Sequence, residues 1–349
     1  MTDRIAIKRL GFFTRLLDET TAAERYRLAL AQIQQAERCG YDSAWIAQHH
    51  FHEGEGGLPA PFVFLAQAAA HTKRLRLGTG IVTLPLELPI RVAEDAVVLD
   101  LMCGQRLEIG VGPGGNLTAF TAFGLDAKDR HKLMEGNLEL MRTAWAGGEL
   151  PGGDRLYPSS PGLADRIWQA TFSVEGARRA GLAGDGLMLS RTQPRPADRP
   201  NATLADIQNP MIDAYLAALH SGPHRGRVPR ILASRTVFVA DDRKEAMKLA
   251  KLGAERQRHR LAATGNLSSG DLVGDLIAAF DIHVGTADEV AASLLADETL
   301  VRATDMTVQS HSIDPPHPHI LRSIELVAQK VAPALGWTPN TETGARQVA

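Results

Sequence analysis

The sequence predicts a single (β/α)8 barrel, and three observations carry that expectation. Segments of strand and helix character alternate nearly throughout, giving eight strands separated by helices. The chain has 349 residues, an ordinary length for one α/β barrel with insertions. No internal repeat, low-complexity tract or linker divides it. The expected domain is therefore residues 1–335, followed by a polar tail, 336–349, that frays. A doubly wound open sheet is the competing arrangement.

The elements follow in order. Ile5–Phe13 is a short apolar run and reads as the first strand. Ala22–Cys39 has apolar residues at helical spacing and Gly40 as its stop signal. Ser43–Ala47 is the second strand, Ala60–His71 a helix, and Leu75–Leu84 a strand ended by Pro85. Ile90–Met102 is helical, Leu107–Gly112 is the fourth strand, Asn116–Asp126 a loop, and His131–Trp145 an amphipathic helix. Residues 146–163, rich in Gly, Pro and Ser, form an insertion loop. Arg166–Thr171 and Gly186–Leu189 are strands five and six, flanking a short helix at Val174–Gly181. Pro210–His220 is a helix, Ile231–Ala240 strand seven, and Asp242–Thr264 a long charged helix. Residues 265–284 are less regular. Thr286–Leu295 is a helix, Met306–Gln309 strand eight, and His319–Val331 the last helix.

Composition removes several function classes. The 38 Lys and Arg against 40 Asp and Glu give a net charge of −2, unlike a general nucleic-acid binder. No apolar run reaches the length of about 18 residues that a membrane span needs. The N-terminal MTDRIAIKRLGFF carries charges where a signal peptide would be apolar. The two cysteines, Cys39 and Cys103, are expected as reduced thiols in a cytoplasmic protein.

In a barrel the chemistry lies at the C-terminal ends of the strands, which makes the residues just after each strand the candidates. Gln48-His49-His50-Phe51-His52-Glu53 follows strand two. Imidazoles there suit acid/base chemistry, while His50-x-His52 could begin a metal site; a solvated loop is the plain alternative. Gly110-Val-Gly112-Pro-Gly114-Gly115 follows strand four and matches the dinucleotide pattern G-x-G-x-x-G. No helix opens inside those glycines and no second strand ends in an acid, so a Rossmann unit is rejected. Ser173 ends a strand and caps a helix, and its turn, Ser173-Val174-Glu175-Gly176, offers free N–H groups to a phosphate. Most such serines are plain caps. Gly78-Thr79-Gly80-Ile81 could leave room for a flat ring at the end of strand three, but a tightly packed strand is the favoured account. Trp45 and Trp168 read as core. His311 lies in the last loop, within reach of the site.

These segments, taken in order, resemble the bacterial luciferase-like flavin monooxygenases, with an FMN-dependent bacterial subgroup as the best match. The matching pieces are Glu37-Arg-Cys-Gly-Tyr-Asp-Ser-Ala-Trp45 with Gln48-His49-His50-Phe51, Leu77-Gly-Thr-Gly-Ile-Val-Thr-Leu-Pro85, and Arg91-Val-Ala-Glu-Asp95 with Leu99-Asp100. Gly104-Gln-Arg106-Leu-Glu-Ile-Gly110, Phe123-Gly124 and Gly184-Asp185-Gly186 complete the set, which covers most of residues 5–335. The resemblance implies a (β/α)8 barrel that binds reduced FMN at its mouth. The flavin would react with O2 to give a C4a-peroxyflavin that oxygenates a small organic substrate. It implies His49 as the acid/base and a non-proline cis peptide at Gly80–Ile81 under the ring. It also implies a homodimer through the helices at 60–71 and 90–102. Many members carry an arginine where this chain has Pro113, and an acid where it has Gln48. Proline offers neither charge nor N–H, so Ser173 with the N–H groups near Val174, Glu175 and Gly176 is expected to hold the flavin phosphate. Arg191, after strand six, is the candidate for the missing charge.

No NADH-binding unit is recognisable, so a separate flavin reductase is the expected partner. Deazaflavin F420 is the alternative cofactor and would make the chain a hydride-transfer oxidoreductase. A metal-dependent hydrolase using His50, His52, His311 and Asp314 competes less well, because strands five and six end without histidines. A non-catalytic flavin-binding subunit is the third class, and it has no need of His49.

Overall fold

The structure, a computed structural model, describes residues 9–160, 162–263 and 271–339. Eight parallel strands close on themselves. In chain order they are β1 (Arg9–Thr14), β2 (Ser43–Ile46), β3 (Arg76–Thr79) with its continuation β4 (Val82–Thr83), β5 (Leu107–Gly112), β6 (Ile167–Ala170), β7 (Gly186–Leu189), β8 (Ile231–Val239) and, after a further strand β9 (Ile282–Gly285), β10 (Asp305–Gln309). Pairing runs β1-β2-β3-β5-β6-β7-β8-β10 and returns to β1. The predicted (β/α)8 barrel is thus present.

Around it lie α1 (Ala22–Arg38), α2 (Pro61–Ala70), α3 (Pro89–Met102), α4 (Leu117–Ala122), α5 (Arg130–Trp145), α6 (Val174–Leu182), α7 (Leu204–Ser221), α8 (Arg243–Ala263), α9 (Leu272–Ala279), α10 (Ala287–Leu295) and α11 (His317–Leu326). The helices form where side chains satisfy their open ends. Thr21 caps α1, and Thr203/Asp206 and Thr286/Glu289 form reciprocal capping boxes on α7 and α10. Helix faces bury Leu, Ile, Val and Ala against the outer side of the strands in a main core, with a smaller separate one formed by α8, α9 and β9.

Several expectations need correction. The first strand begins at Arg9 among the described residues, and positions 5–8 lie outside them. The single strand expected over 75–84 is two, β3 and β4. The loop expected at 116–126 contains α4. Helix α7 starts at Leu204, because Pro210 sits inside it and does not open it. The irregular stretch before residue 284 contains α9 and β9, the latter a parallel addition to the long β8 outside the eight-strand ring. The tail does not fray at residue 336: Trp337 is buried, and its indole N–H donates to Asp42 Oδ2 at 2.7 Å.

Inside the barrel, Trp45 and Trp168 meet edge to face at 5.8 Å, with Met188 and Leu232. A Cβ at Gly78 or Gly186 would collide with these indoles, so each glycine makes space for the tryptophan on the adjacent strand. Below them a charged layer closes the N-terminal end. Arg9 pairs with Asp305 and Arg76 with Glu108, each at 2.5 Å, and Trp168 donates to Glu108 at 2.7 Å. With this end sealed, the C-terminal mouth is left for chemistry.

Candidate active site

At the end of β2 the chain runs through Gln48, His49 and His50. Gln48 is buried and ties two loops together. Its Oε1 accepts from the Thr83 N–H at 2.7 Å, and its Nε2 donates to Glu87 Oε1 at 2.6 Å. Burial raises the Glu87 carboxyl above its ordinary range, against the opposing effect of the Gln48 bond. Position 48 thus carries no acid of its own, but a carboxyl from the β4–α3 connection reaches it.

The His49 N–H donates to the Leu58 carbonyl at 3.0 Å. Its ring packs against Gly56, where a Cβ would meet Cδ2 at 2.8 Å. Gly56 has a φ of +146°, so glycine is required there twice over. Arg15, just beyond β1, donates to the Glu55 carbonyl and holds the same loop. Burial pushes the His49 pKa down to about 3, with Arg15, His311 and His50 adding to the effect. His49 is therefore a neutral imidazole at physiological pH, able to accept or relay a proton.

His50 and His52 do not join it in a cluster. The His50 ring lies edge-on to Phe123 at 5.0 Å and near Phe51 at 5.8 Å, and His52 approaches Thr118. Phe51 and Phe123 are exposed, giving the mouth an apolar rim. Among the described residues, no group of three His, Cys, Asp or Glu side chains is placed to hold a metal ion.

Beside β2, the Gly80 N–H donates to the Ile46 carbonyl at 2.7 Å, and the Gly80–Ile81 peptide is cis. A Cβ at Gly80 would meet the Phe13 ring at 2.6 Å, and one at Gly112 would meet Ile81 Cδ1 at 2.5 Å. Gly80 and Gly112 thus make room for the Phe13 and Ile81 side chains at the ends of β3 and β5.

Ser173 caps α6, its Oγ accepting from the Gly176 N–H at 3.1 Å, while Ser173, Val174 and Glu175 are exposed. A Cβ at Gly176 would collide with Thr171 Oγ1, so the turn is tight. Thr171 and Gly176 open on a groove of about 380 Å3 between α5 and α6, which also takes in Pro113, His131, Glu135 and Arg179. Arg179 lies 3.2 Å from Glu135 and 3.7 Å from Glu175.

Arg191 is not the surface residue that its loop position would allow. It is buried, and its Nη1 donates to Thr236 Oγ1 at 3.2 Å and Ser312 Oγ at 3.4 Å. These bonds face β8 and the β10 loop, whereas Arg179 shares the groove of the Ser173 turn. In that β10 loop His311 is buried and pairs Nδ1 to Asp314 Oδ2 at 2.7 Å. Burial brings His311 down to about 4 despite the opposing pull of Asp314. Sequence reasoning passed over Arg15, Glu87 and Arg179. For Arg15 a signal existed, since it directly follows the first strand.

A sequence profile described as luciferase-like monooxygenase matches residues 10–303. The 4-hydroxyprotoasukamycin monooxygenase of Streptomyces nodosus subsp. asukaensis is 31% identical over 60% of this chain, which spans 58% of that relative's length. Among solved structures, the monooxygenase RslO1 from Streptomyces bottropensis superposes with a TM-score of 0.76 at 25% identity, over 93% of this chain and 99% of that one. The oxygenating constituent of 3,6-diketocamphane monooxygenase from Pseudomonas putida, solved with FMN, shares the fold at TM-score 0.74 and 21% identity, over 94% and 98% of the two chains. So does an F420-dependent secondary alcohol dehydrogenase, at TM-score 0.65 and 18% identity, over 94% and 99%.

Proposed function

The chain belongs to the luciferase-like monooxygenase family, and from that premise we propose that it is an FMN-dependent monooxygenase acting with O2 on a small organic substrate. The observation that carries this reading is the junction of β2 and β3. His49, a half-buried neutral imidazole, follows β2 three residues after Ile46, whose carbonyl accepts from the Gly80 N–H at the end of β3. The mouth fits a flavin mononucleotide in two further respects. The apolar rim of Phe51 and Phe123 suits a site that excludes water, and the α6 turn presents N–H groups to an anion.

Gly80 and Ile81 would lie against the ring system, and Ser173 with the N–H groups of Val174 and Glu175 would hold the phosphate at the turn that the Gly176 N–H closes onto Ser173 Oγ. Reduced FMN, when bound, supplies the electrons that activate O2. The Leu58 bond fixes the His49 main chain and the Gly56 packing places its ring, which as a neutral base would accept a proton at its unprotonated nitrogen. The charge beside the phosphate comes from one of two arginines. The groove favours Arg179 over Arg191, whose hydrogen bonds point to Thr236 and Ser312.

A separate reductase would deliver the reduced flavin, in a cytoplasmic setting that suits the two free thiols. A homodimer would cover Val63 on α2 with Val98, Leu101 and Met102 on α3, all exposed here; light scattering reports it directly. The decisive experiment supplies FMNH2 and O2 and follows FMNH2 binding and oxygenated product. Absence of flavin binding would overturn the reading. Parallel titration with reduced F420, the alternative cofactor, would reassign the chain to hydride transfer if F420 alone bound.

A further inference from the structure

Residues two apart in a strand share a face, so Thr307 and Gln309 lie on the inner face of β10, while Met306 and Val308 pack outward into the helix-facing core. His311, in the turn that follows the strand, lines the same small space as Gln309. Thr307, Gln309 and His311 are buried. Thr307 Oγ1, Gln309 Oε1 and His311 Nε2 each lack a hydrogen-bond partner. Buried polar atoms without partners are rare, and each asks for an explanation.

His311 is the most informative. Asp314 sits three residues on, with a φ of +47° that turns its carboxylate back to Nδ1 at 2.7 Å. A carboxylate accepts, so Nδ1 carries the proton and Nε2 presents a lone pair. Gln309 donates its Nε2 to Ser234 Oγ at 3.2 Å, which leaves Oε1 as a second acceptor. His311 Nε2 and Gln309 Oε1 are therefore both acceptors, set in a lining that also holds the donor Arg15. A space of about 20 Å3, lined by Thr14, Arg15, Gln309, His311 and Asp314 among others, is large enough for one oxygen atom with its hydrogen.

We propose that the organic substrate carries an O–H donor, and that His311, oriented by Asp314, accepts its hydrogen bond at Nε2. The inference rests on the barrel mouth being a substrate site and adds the class of substrate: an alcohol or phenol, as opposed to a bare hydrocarbon. His311 touches the substrate, and Asp314 is a positioning residue that fixes the tautomer. A lone water would use the same space, and the substrate hydroxyl would replace it.

Phenol and toluene form the test pair, because they differ by the donor. With histidine labelled by 15N, the His311 signal is identified by its loss in His311→Gln. In the wild-type protein Nε2 should report as unprotonated, and phenol should shift it while toluene leaves it unmoved. The preference for phenol relative to toluene should fall about 5-fold in His311→Leu and in Asp314→Asn, the worth of one neutral hydrogen bond. FMN affinity should stay within twofold in both. A protonated Nε2, or a phenol-to-toluene ratio equal in wild type and variants, overturns the proposal. The wild-type spectrum decides the matter if a variant fails to fold. The FMN titration reports separately on the flavin reading: flavin binding without donor preference removes this inference alone, and the reverse removes the flavin alone.

Discussion

At the N-terminal end of the barrel, Arg9, Asp305, Arg76 and Glu108 form two ion pairs at 2.5 Å, and Trp168 adds a bond to Glu108. At the C-terminal end, His50, Gln193, Gln309 and His311 are buried or half-buried with polar atoms left unmatched. The Arg9, Asp305, Arg76 and Glu108 set closes on itself, whereas the mouth gathers several unmatched side chains; Asp185 Oδ1, just before β7, is a further unmatched atom outside the mouth. A closed set fixes the strands in register and leaves nothing for a ligand. An open set costs stability unless something binds, so it marks where binding happens. At the base, carboxylates hold Arg9 and Arg76, and at the mouth Arg191 Nη1 donates to the hydroxyls of Thr236 and Ser312.

The contrast predicts that substitutions at the two ends separate activity from stability. The largest expected effect is at the mouth. His49→Ala should lower turnover with FMNH2 and O2 by about 10²- to 10⁴-fold, the usual contribution of a positioned acid/base. Its urea unfolding midpoint should shift little. A variant that turns over like the wild type would remove His49 from the chemistry.

The base should behave in the opposite sense. Glu108→Leu leaves Arg76 without its carboxylate while Arg9 keeps Asp305, and breaking such a pair costs about 3–5 kcal/mol. The loss should be read from denaturant unfolding. FMN affinity of the folded fraction should be unchanged. Equal losses of affinity and stability would show that the two ends are coupled.

The same contrast explains what was legible in the sequence. The strand core was legible because Leu107–Gly112 and Gly186–Leu189 are short apolar runs bounded by turns, and those two segments are strands at the expected residues. Pro210 misled, because a proline often opens a helix. The better signal was Thr203-x-x-Asp206, the capping box that actually starts α7. β9 was hidden because Ile282–Gly285 includes the polar His283. At the mouth, His49 and Ser173 were legible from their positions after strands. The His311–Asp314 pair was legible only as residue types: its geometry depends on the left-handed turn at Asp314, which no local pattern announces. Arg191 shows the same limit, since its place after a strand did not tell which way its side chain turns.

Acid should expose the mouth through its histidines. His49 and His311 sit at about 3 and about 4 in the folded protein, below the ordinary value near 6.5. The unfolded chain therefore binds protons that the folded chain refuses. Their stabilising effect is complete above pH 6.5 and is lost as pH falls toward 4. Each contributes a slope of at most about 1.4 kcal/mol per pH unit in that window. Buried carboxyls such as Asp42 and Asp185 are raised, chiefly by burial, and act in the opposite direction. The measurement is thus a difference: His311→Gln should flatten the decline of the urea midpoint between pH 6.5 and 4.5. An unchanged slope would mean that His311 titrates normally.

The smallest expected effect separates the two arginines proposed for the flavin phosphate. Arg179 lines the groove that reaches Thr171 and Gly176, and it is shared between Glu135 and Glu175. Arriving phosphate would compete with those carboxylates, so the net gain is less than that of a free arginine. A charge-assisted hydrogen bond is worth roughly 1.5–3 kcal/mol, and the competition trims it to about a tenfold change. Arg179→Ala should therefore weaken FMN about tenfold and leave riboflavin, which lacks the phosphate, almost unaffected. Ser173→Ala should add a loss of about 1 kcal/mol of stability through the missing cap. Arg191 is buried against Thr236 and Ser312, so Arg191→Ala should weaken FMN and riboflavin alike. If Arg191→Ala alone discriminated between the two flavins, the charge would lie on the β8 side of the mouth. The α5–α6 groove would then have no part in holding the cofactor.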